Sequence, residues 1–540
     1  MNNGEIARIL SEVGLLLEIR GENSFKVRAY ERAAEAVQNL PEPLSAVRER
    51  GELRKLQGVG EGLAQKLEEL LDTGRLEYHE TLRAEFPPAV FDFLKIPGLG
   101  AKSEQEILKG IGQIRSFGDR VTLGVATDLA QEIMARLRAE APVQQMEAAG
   151  SLRRAKESIG DLDILVTSDE PARVMECFLK MDLVAEVVMH GPTKSTVMTH
   201  AGMQADLRVV APESFGAALQ YFTGSREHNI KLRDLAVRQG IKINEYGVFR
   251  EAKEQETRLG GEMEEDIYRA VGLPMMPPEL REDQGEIEAA RAGTLPDLIT
   301  LGDLRGDLQM HSTWSDGQNT IEEMARAARA LGYEYIALTD HSISETVANG
   351  LSVERLRQRR EEIEAARRAV PGLTILNGSE VDIKRDGSLD YPDEVLAELD
   401  FVIVSVHSSW KLSQEAQTAR ILRALDNPWV DAMAHPTGRL IGKREPYEVD
   451  LEQVFLKAAE AGVAMEINAY PDRLDLKDTH ARYAKSLGVK LLIDTDAHGA
   501  ESLSLIRFGV ATARRGWIGA ADVLNTRPVK EFVAGLRRRR

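Results

Sequence analysis

Cysteine is almost absent from this 540-residue chain, which contains only Cys177. No disulfide can form within the chain, and this favours a reducing compartment such as the cytoplasm. We expect no membrane span, because no run of about 18 apolar residues occurs, and no signal peptide, because the N-terminus is acidic and amphipathic.

Basic residues are outnumbered 69 to 87 by acidic residues, giving a net charge of −18. This excess of acidic residues argues against indiscriminate nucleic-acid binding but is compatible with local basic surfaces.

Changes of pattern along the chain divide it into regions. Its length predicts two to four domains, and 43% hydrophobic with 29% charged residues is typical of globular proteins. Residues 1 to about 120 have apolar positions at helical spacing, and strand-like runs such as Asp161–Val166 follow. The proline-rich stretch Leu273–Pro278 indicates a domain exit. From about residue 303, apolar strands alternate with helices, which predicts a parallel α/β unit, open or closed into a barrel.

Two short glycine turns stand in front of predicted helices near the N-terminus. They are Gly58-Val59-Gly60 and Gly98-Leu99-Gly100. Such a turn exposes backbone N–H groups at the positive end of a helix dipole, where a DNA phosphate can bind without base recognition. One copy alone would be an ordinary turn between helices. The presence of two favours DNA binding through Gly58, Gly60, Gly98 and Gly100.

The segment from Gly150 to Asp163 has the strongest chemical signal in the sequence. Asp161 and Asp163 stand two residues apart at the start of an apolar run, so in a strand both side chains project from the same face. Adjacent carboxylates repel each other unless a cation lies between them, and oxygen ligands suit Mg²⁺ or Mn²⁺. The preceding glycine-serine turn and two arginines can hold phosphate. The pattern predicts a nucleotidyl-transfer site.

This part of the chain resembles the family X DNA polymerases, the group that includes DNA polymerase beta. The resemblance runs through Gly150–Asp163, Ala205–Val210, the YFTGS segment Tyr221–Ser225 and the INEY segment Ile243–Tyr246. The first of these marks a broad nucleotidyltransferase superfamily. The YFTGS and INEY segments are much more specific to family X.

The resemblance implies a catalytic metal pair and a set of nucleotide contacts. The metal-binding carboxylates are Asp161, Asp163 and Asp206. Two ions roughly 3.5–4 Å apart would activate the primer 3′-OH and stabilise the leaving pyrophosphate. The matched nucleotide contacts are Ser151, Arg154 and Gly160 at the triphosphate, Tyr221, Phe222 and Gly224 at the sugar, and Asn229 and Arg233 near the nascent base pair. For the two aromatic residues, ordinary core packing is the alternative.

The N-terminal region resembles the small domain with which these polymerases grip a 5′-phosphate at a gap. Lys26, Gly58–Gly60 and Lys66 belong to the matching segments. In relatives with deoxyribose-phosphate lyase activity, the position of Lys66 supplies the Schiff-base amine, which needs a nearby positive charge or burial to lose its proton. Gly62 stands where such relatives have a second phosphate-binding lysine. A phosphate contact or an exposed helix face is therefore the alternative role of Lys66.

A second departure from the family follows Gly100. Bacterial relatives usually have a longer segment between this glycine and the helix that begins here near Ser103. An internal helical stretch is therefore missing. The shortening bears on how the upstream DNA strand is held and on the efficiency of polymerisation, and it leaves the metal-binding residues untouched.

Apolar strand-like runs in the C-terminal half repeatedly end at residues that can bind a metal. These residues are His311, His341, Glu380, His407, His435, Asp494, Asp496 and His498. Five of the ten histidines in the chain occupy such strand ends. Because the C-terminal strand ends of an α/β barrel meet in one cavity, the pattern predicts a shared metal centre rather than isolated core histidines.

This arrangement resembles the polymerase and histidinol phosphatase (PHP) domain, a distorted seven-stranded barrel often fused to bacterial family X polymerases. Its ligand pattern maps onto His311, Asp316, His341, Glu380, His407, His435, Asp496 and His498. The opening motif is usually His-x-His, but Gln309 replaces the first histidine, and an amide oxygen is a poorer ligand for a transition metal. Eight positions can still hold two ions, and this donor set suits Mn²⁺ or Zn²⁺. The resemblance implies 3′→5′ exonuclease activity and the possibility of cleavage at abasic sites; a decayed barrel kept as a scaffold is the alternative.

These features predict a multidomain chain. Its order is an all-α helix-hairpin-helix region, an α+β nucleotidyltransferase palm and an α/β distorted (β/α)7 PHP barrel. The predicted boundaries are 1–86 for a gap- and 5′-phosphate-binding domain, 87–121 for a shortened helix-hairpin-helix segment, 122–212 for the palm, 213–284 for a nucleotide-selection subdomain, 285–302 for a linker and 303–540 for the PHP domain.

The implied function is repair synthesis at short gaps in DNA combined with trimming of 3′ ends. Expected partners are gapped or primer-template DNA and deoxynucleoside triphosphates, and we expect a monomer. A nuclease whose polymerase half mainly binds DNA is one alternative. A non-catalytic DNA-end binder is another, which the intact carboxylates disfavour.

Overall fold

The chain folds into two units in the computed structural model. The structure describes residues 1, 3–19, 24–38, 40, 43–56, 59–84, 120–252 and 255–536. One unit comprises Met1–Val121 and Met175–Asp206, and the other comprises Thr122–Val174 and Leu207–Arg540. The domain boundaries predicted from sequence follow motifs rather than this division, and they stay predictions.

Strands occur in three regions of the described chain. In chain order they are β1 (Val121–Thr122), β2 (Gln145–Ala148), β3 (Ser158–Ile159), β4 (Asp161–Thr167), β5 (Val184–His190), β6 (Lys194–Thr199), β7 (Gln204–Val209), β8 (Ile241–Asn244), β9 (Gly247–Ala252), β10 (Gln255–Gly260), β11 (Gly306–Asp307), β12 (Tyr335–Leu338), β13 (Thr374–Asp382), β14 (Phe401–Ser405), β15 (Ala432–Met433), β16 (Ala464–Asn468) and β17 (Leu491–Asp494). The predicted strands at Asp161–Val166 and Asp206–Val210 correspond to β4 and β7.

Helices make up most of the described N-terminal region and alternate with strands elsewhere. The N-terminal helices span Asn3–Ile19, Ser24–Gln38, Leu44–Glu49, Glu61–Thr73 and Glu77–Ala84; the middle helices span Leu123–Glu140, Gly150–Arg153, Pro171–Leu179, Phe215–Thr223, Arg226–Val237, Glu264–Ala270 and Glu286–Ala292; the C-terminal helices span Ile321–Ala330, Val353–Ala369, Asp393–Leu396, Gln414–Leu425, Leu451–Ala461, Asp478–Ser486, Ile506–Arg515 and Val529–Gly535. None of the described helices is long and apolar enough to cross a membrane.

Apolar spacing explains the packing of the N-terminal helices in the first unit. Helices Asn3–Ile19 and Ser24–Gln38 pack against each other. The first of them buries Ile6, Leu10 and Val13, which recur every three or four residues on one face. In the same unit, β5 and β6 form an antiparallel hairpin. The predicted all-α character of the N-terminal region is confirmed.

The second unit begins with the elements that hold the nucleotidyltransferase motif. β2 pairs antiparallel with β4, with Ala148 opposite Ile164, and the short helix Gly150–Arg153 lies in the connection between them. Farther along the chain, β8, β9 and β10 form an antiparallel sheet in the order β10-β9-β8. Its core includes Leu232, Ile243, Tyr268 and Ile287. The middle of the chain is therefore α+β, as predicted.

The segment predicted as a linker, 285–302, begins inside this core. Helix Glu286–Ala292 buries Ile287 and Ala290. Its acidic residues suggested a solvated connection, but the Glu286 carboxylate is buried because it lies 2.7 Å from the buried His228 ring. Ile287 and Ala290 of this segment thus pack in the core of the middle region.

The C-terminal part of the second unit is a parallel barrel. Strands β11 to β17 are hydrogen-bonded in chain order, each parallel to the next, and helices occupy the connections. β13 continues to Asp382, two residues past the predicted strand end at Glu380, because its later residues pair with β14. The predicted distorted seven-stranded barrel is confirmed.

The side chain of Asn525 bridges the first and last strands of the barrel. The Asn525 amide donates to the backbone carbonyls of Gly306 (2.8 Å) and Ile493 (2.7 Å), and its oxygen accepts from the Ile493 N–H (3.1 Å). Beyond it, a backbone bridge joins Met310 to Ala497. The seam between these two strands therefore brings together residues from the two ends of the domain.

Candidate active sites

The two aspartates of the nucleotidyltransferase motif lie at the start of β4. Asp161 is exposed and Asp163 half-buried, whereas the residue between them is buried, so both carboxylates lie on one face as predicted. Gly150 packs against the carboxylate of Asp163. Its φ of +62° favours glycine, and a Cβ there would lie 2.6 Å from Oδ2 of Asp163. Ser151 and Gly160, two predicted triphosphate contacts, are half-buried beside this turn.

Asp206, the third predicted carboxylate, lies on β7 where this strand passes from one unit into the other. Its buried side chain lies 3.1 Å from Nζ of Lys194 and accepts a hydrogen bond from Nε2 of Gln204 (3.2 Å). A positive charge thus already lies beside this carboxylate. Because Asp206 and the other two aspartates belong to separately described units, their assembly into one metal site stays a prediction.

Arg154, a predicted triphosphate contact, lies against the turn that contains the predicted sugar contacts. Its guanidinium donates to the Thr223 carbonyl (2.6 Å) and to the Glu282 carboxylate (3.0 Å). Gly224 follows with a φ of +71°, and a Cβ there would lie 3.1 Å from Nη1 of Arg154. The absence of a side chain at Gly224 therefore leaves room for the guanidinium.

The neighbouring Arg153 has a structural partner instead. It forms two parallel hydrogen bonds of 2.8 Å with the buried carboxylate of Glu264, which the buried Arg281 also contacts. Burial tends to raise the pKa of Glu264, but the two guanidinium groups outweigh it and hold the pKa below its usual value. Arg153 thus fixes the motif to the following subdomain, a role that its place in the sequence did not show.

The other predicted nucleotide contacts surround the same turn. The Asn229 amide donates to the Tyr221 carbonyl (2.8 Å) and accepts from Gln220 (2.7 Å), and Arg233 donates to the Asn229 carbonyl (3.2 Å). The rings of Tyr221 and Phe222 meet edge to face, with centroids 5.1 Å apart and planes at 79°, and both are half-buried. The structure brings together Arg154, Tyr221, Phe222, Gly224, Asn229 and Arg233.

The predicted DNA-binding lysines lie together on the N-terminal helices. Nζ of Lys66 is 4.8 Å from the ring centroid of Tyr78 and 5.9 Å from that of Tyr30, and Nζ of Lys26 is 5.6 Å from Tyr78. Two ammonium groups over shared aromatic rings concentrate positive charge. Gly60 directly precedes helix Glu61–Thr73. Gly58, Gly98, Gly100 and nearly all of the predicted segment 87–121 lie outside the described residues.

All eight predicted metal ligands of the barrel meet in one place. Seven of them form overlapping groups in which the ligand atoms lie within 4.8 Å of one another, namely His311, Asp316, His341, Glu380, His407, Asp496 and His498. The eighth, His435, is 3.0 Å from Glu380. The structure thus assembles the cavity expected from the strand ends. The role of these residues as ligands stays a prediction.

Glu380 lies at the centre of this ring of residues. Its oxygens are 3.0 Å from Nε2 of His435, 3.2 Å from Nδ1 of His341, 3.4 Å from Nε2 of His407 and 3.5 Å from Nε2 of His311. Nitrogen and oxygen ligands that converge from several strands on a buried point are the donors that Zn²⁺ and Mn²⁺ prefer.

Two further carboxylates complete the ring. Asp316 lies 3.3 Å from Nε2 of His498 and 3.7 Å from Nε2 of His341. Asp496 lies 3.1 Å from Nε2 of His311. The ring of His311 stacks against those of His341 and His498, with 4.3 Å between centroids in both pairs. Such close packing of imidazoles disfavours several positive charges among them.

Burial and neighbouring charges set the protonation of these imidazoles. Burial lowers the pKa of His341 to about 3, so that ring is neutral and can bind a metal. Burial also opposes protonation of His498, but Asp316 and Asp496 outweigh it and raise its pKa to about 9. The carboxylates of Glu380 and Asp382 likewise raise the pKa of His407 to about 9. The carboxylates of Asp316, Glu380, Asp382 and Asp496 thus attract positive charge to this cluster of residues.

Gln309 lies buried at the edge of the same ring. Its Nε2 is 3.4 Å from Oδ1 of Asp496. Its Oε1 is buried and has no hydrogen-bond partner among the described residues. An amide oxygen left unpaired beside predicted ligands can bind a cation. Gln309 therefore fits a metal centre of mixed nitrogen and oxygen donors.

Three polar residues that sequence reasoning missed contact the ring. Asp382 lies 3.2 Å from Nδ1 of His407, whose Nε2 faces Glu380, so it can orient this ring. Asn468 donates to Asp496 (3.1 Å), and the Arg473 guanidinium lies 3.6 Å from the same carboxylate. Asp382 shares a strand face with Glu380 two residues earlier, and that spacing was the available signal.

The two sites define a class of protein. Paired carboxylates beside a phosphate-type turn, and a barrel with a buried imidazole–carboxylate ring, are features of metal-dependent enzymes that act on phosphate esters. Family models match three parts of the chain. The helix-hairpin-helix domain matches residues 1–76, the DNA polymerase beta thumb matches 218–282 and the PHP domain matches 307–469.

Similarity over the full length defines the family. The chain is 39% identical to DNA polymerase/3′-5′ exonuclease PolX of Bacillus subtilis (strain 168), over an alignment of 580 residues that covers both chains completely. The chain belongs to the bacterial family X DNA polymerases, in which a DNA polymerase beta-like core is fused to a C-terminal PHP domain. The resemblance found in the sequence is confirmed.

Two other relatives match part of the chain. A probable phosphatase of Thermoanaerobacter sp. (strain X514) is 32% identical over an alignment of 234 residues, which covers 41% of this chain and 90% of the relative. DNA polymerase lambda of Rattus norvegicus is 25% identical over an alignment of 327 residues, which covers 52% of this chain and 56% of the relative. The alignment with PolX is longer than this chain, so PolX has residues that this chain lacks. Their position after Gly100 stays a prediction.

Proposed function

We propose that this protein is a DNA polymerase that fills short gaps during DNA repair and that its barrel is a metal-dependent 3′→5′ exonuclease. The observation that supports this most strongly is the presence, in one chain, of the Asp161–Asp163 pair and the residues around Glu380. The full-length similarity to a relative named for both activities agrees with it.

At the polymerase site, each type of contact that the resemblance implies has a residue to make it. Asp161, Asp163 and Asp206 would hold Mg²⁺ or Mn²⁺. Ions bound there activate the primer 3′-OH and neutralise the departing pyrophosphate. Ser151, Gly160 and Arg154 would hold the triphosphate, Tyr221, Phe222 and Gly224 the sugar, and Asn229 and Arg233 the nascent base pair. Of these, Arg154 already lies against the sugar-contact turn.

In the barrel, the eight imidazole and carboxylate ligands together with Oε1 of Gln309 would hold Mn²⁺ or Zn²⁺. Ions bound there lower the pKa of a water molecule that can then attack a phosphodiester. Asp382 would keep the His407 ring in one orientation, and the charge of Arg473 would face a phosphate next to Asp496.

A primer-extension assay tests both activities at once. The substrate is a 5′-phosphorylated one-nucleotide gap with a labelled primer, incubated in Mn²⁺ with and without deoxynucleotides. We expect extension with nucleotides and shortening without them. Asp163→Ala should abolish extension and keep shortening, and Asp496→Ala should do the reverse. Loss of both activities in either variant would show that the sites do not work independently.

The second candidate is a nuclease whose polymerase half mainly binds DNA. The contact between Lys194 and Asp206 favours it, because an ammonium group competes with a metal for that carboxylate. The shortening predicted after Gly100 favours it as well. In this case the wild-type protein would shorten the primer with and without nucleotides, and Asp161→Ala would change nothing.

For the N-terminal domain we propose a 5′-phosphate contact by Lys66 and Lys26, which share the Tyr78 ring. Lyase chemistry by Lys66 is the alternative. Borohydride trapping on a substrate with a 5′-deoxyribose phosphate distinguishes the two. A trapped adduct that disappears in Lys66→Ala supports the lyase. Weaker preference for 5′-phosphorylated gaps in the same variant, without any adduct, supports the contact.

We also propose that the protein acts as a monomer in the cytoplasm, on nucleoid DNA. This follows from the proposed substrate rather than from any feature of the fold. Sedimentation equilibrium tests the monomer, which has a mass of 59.8 kDa.

A further inference from the structure

Glu282 is a carboxylate shared by arginines from the two catalytic halves of the second unit. Oε1 of Glu282 accepts from Nε of Arg154 (3.0 Å), which belongs to the nucleotidyltransferase motif. The same oxygen accepts from Nη1 of Arg515 (2.9 Å), at the end of helix Ile506–Arg515 in the barrel domain. The side chains of Glu282 and Arg154 are each 12% exposed and that of Arg515 is 8% exposed. Through Glu282, a residue of the barrel is therefore linked to Arg154, a predicted triphosphate contact.

Arg515 also contacts the main chain of the same motif. Its Nη1 donates to the backbone carbonyl of Arg154 (2.7 Å). On its other side, Arg515 pairs with Asp478 at 2.9 Å, the first residue of helix Asp478–Ser486. Contacts on both sides fix the guanidinium in place. Arg515 thus holds both the partner of the Arg154 side chain and the backbone from which this side chain projects.

The balance of charge around Glu282 matters for a phosphate ligand. Burial tends to raise the pKa of Glu282, but the charges of Arg154 and Arg515 outweigh it and hold the pKa below its usual value. The carboxylate is therefore ionised. One carboxylate shared between two guanidinium groups neutralises neither completely. Without Arg515, the negative charge of Glu282 would be balanced only by Arg154 and by Lys156, whose Nζ lies 3.6 Å from Oε2 of Glu282. Arg154 would then attract a triphosphate less strongly.

We propose that Arg515, a residue of the PHP barrel, is a positioning residue for the nucleotide site of the polymerase half. It fixes the backbone of Arg154 and shares the charge of Glu282, so that Arg154 keeps positive charge for the triphosphate. The barrel domain is therefore part of the construction of the polymerase site. This inference rests on the proposed function, namely that Arg154 contacts the triphosphate.

The neighbouring arginine provides a matched control. Arg514 lies on the same helix, pairs with Glu279 at 2.6 Å and donates to the Ile299 carbonyl (2.9 Å). The ion pair between Arg514 and Glu279 also joins the barrel to the middle region. Among the described residues, however, Arg514 bonds to neither Arg154 nor Glu282. Arg514→Gln therefore removes an anchoring ion pair and leaves the shared carboxylate intact.

The test compares Arg515→Gln, Arg515→Lys and Arg514→Gln in the full-length chain. The measurements are KM and kcat for the incoming nucleotide on a one-nucleotide gap, inhibition by pyrophosphate, affinity for gapped DNA, nuclease rate and thermal midpoint. In Arg515→Gln, KM for the nucleotide should rise about tenfold, as expected from the loss of a charged hydrogen bond, and pyrophosphate inhibition should weaken in parallel. Arg515→Lys keeps the charge and should recover part of the loss. DNA affinity and nuclease rate should stay within twofold of wild type, and Arg514→Gln should leave KM unchanged.

Two results would overturn the proposal. One is an equal KM in Arg515→Gln and Arg514→Gln. The other is a parallel fall of both activities and of the thermal midpoint in Arg515→Gln, which would show a purely anchoring role. If the wild-type protein does not extend primers, the proposed function fails, and the inference is measured separately by equilibrium binding of deoxynucleoside triphosphate with Mg²⁺. Equal affinities of wild type and Arg515→Gln in that measurement would refute it.

Discussion

Replacing Gly150 with alanine should slow DNA synthesis strongly without removing any catalytic group. The new Cβ would lie 2.6 Å from Oδ2 of Asp163, whereas ordinary contacts begin at 3.4 Å, so the carboxylate has to move by about 0.8 Å. A displacement of about 1 Å at a reacting centre costs on the order of a hundredfold in rate. The positive φ of +62° adds about 1–2 kcal/mol of backbone strain to the free energy of folding. Synthesis should therefore fall about a hundredfold, and the exonuclease should be unchanged.

A control variant at Gly272 distinguishes the displacement of Asp163 from the effect of backbone strain. Gly272 has a φ of +73°, but a Cβ there would have no neighbour within 4 Å. Gly272→Ala should therefore lose about the same stability in urea unfolding as Gly150→Ala and keep its polymerase activity. Primer extension on a one-nucleotide gap gives the rates, and shortening of the same primer gives the nuclease rate. Synthesis by Gly150→Ala within threefold of Gly272→Ala would refute the reasoning.

Further predictions concern the metal ring of the barrel. The affinity of metal-free protein for Mn²⁺ should rise between pH 6.5 and 9, because His407 and His498, with pKa values raised to about 9, must lose protons to bind it; calorimetric titrations that show no pH dependence would contradict this. In the same metal-free protein, these raised pKa values stabilise the fold below about pH 6.5, and thermal unfolding should show that this contribution is lost as the pH rises through about 9. Asp382→Asn should weaken metal binding about tenfold by releasing the His407 ring, whereas Asp386→Asn, at a largely exposed residue nearby, should not. Gln309→Leu should lower the metal content per chain and Gln309→His should raise it, as measured by plasma mass spectrometry; equal contents would show that this position is not a ligand.

Local periodicity explains why the positions of the candidate sites were predictable. The spacing of Asp161 and Asp163 required a strand with both carboxylates on one face, and β4 has this arrangement. In the barrel, the hydrophobic runs indicated where the strands would end, although β13 continues two residues past Glu380, and parallel strands bring such ends together. His311, Glu380 and His435 were therefore predictable as neighbours although they come from different strands.

Contacts between distant segments were not predictable in the same way. Nothing in the spacing of Arg153 and Arg154 shows that the first pairs with a buried glutamate and the second faces a glycine turn. The burial of Glu286 depends on a histidine 58 residues earlier in the chain. The contact between Arg515 and Glu282 depends on how two domains pack, and each residue alone resembles an ordinary surface charge.

The seam of the barrel has a consequence for the synthesis of the protein. His311 and Asp496 are 185 residues apart in sequence and become neighbours only when the last strand joins the first, and Asn525, farther along still, bridges the two strands. A nascent chain folds from its N-terminus as it leaves the ribosome. The polymerase half can therefore fold while the ring of ligands is still incomplete. A chain that stops between His498 and Asn525 would contain all eight predicted ligands but would lack the side chain that bonds Gly306 to Ile493.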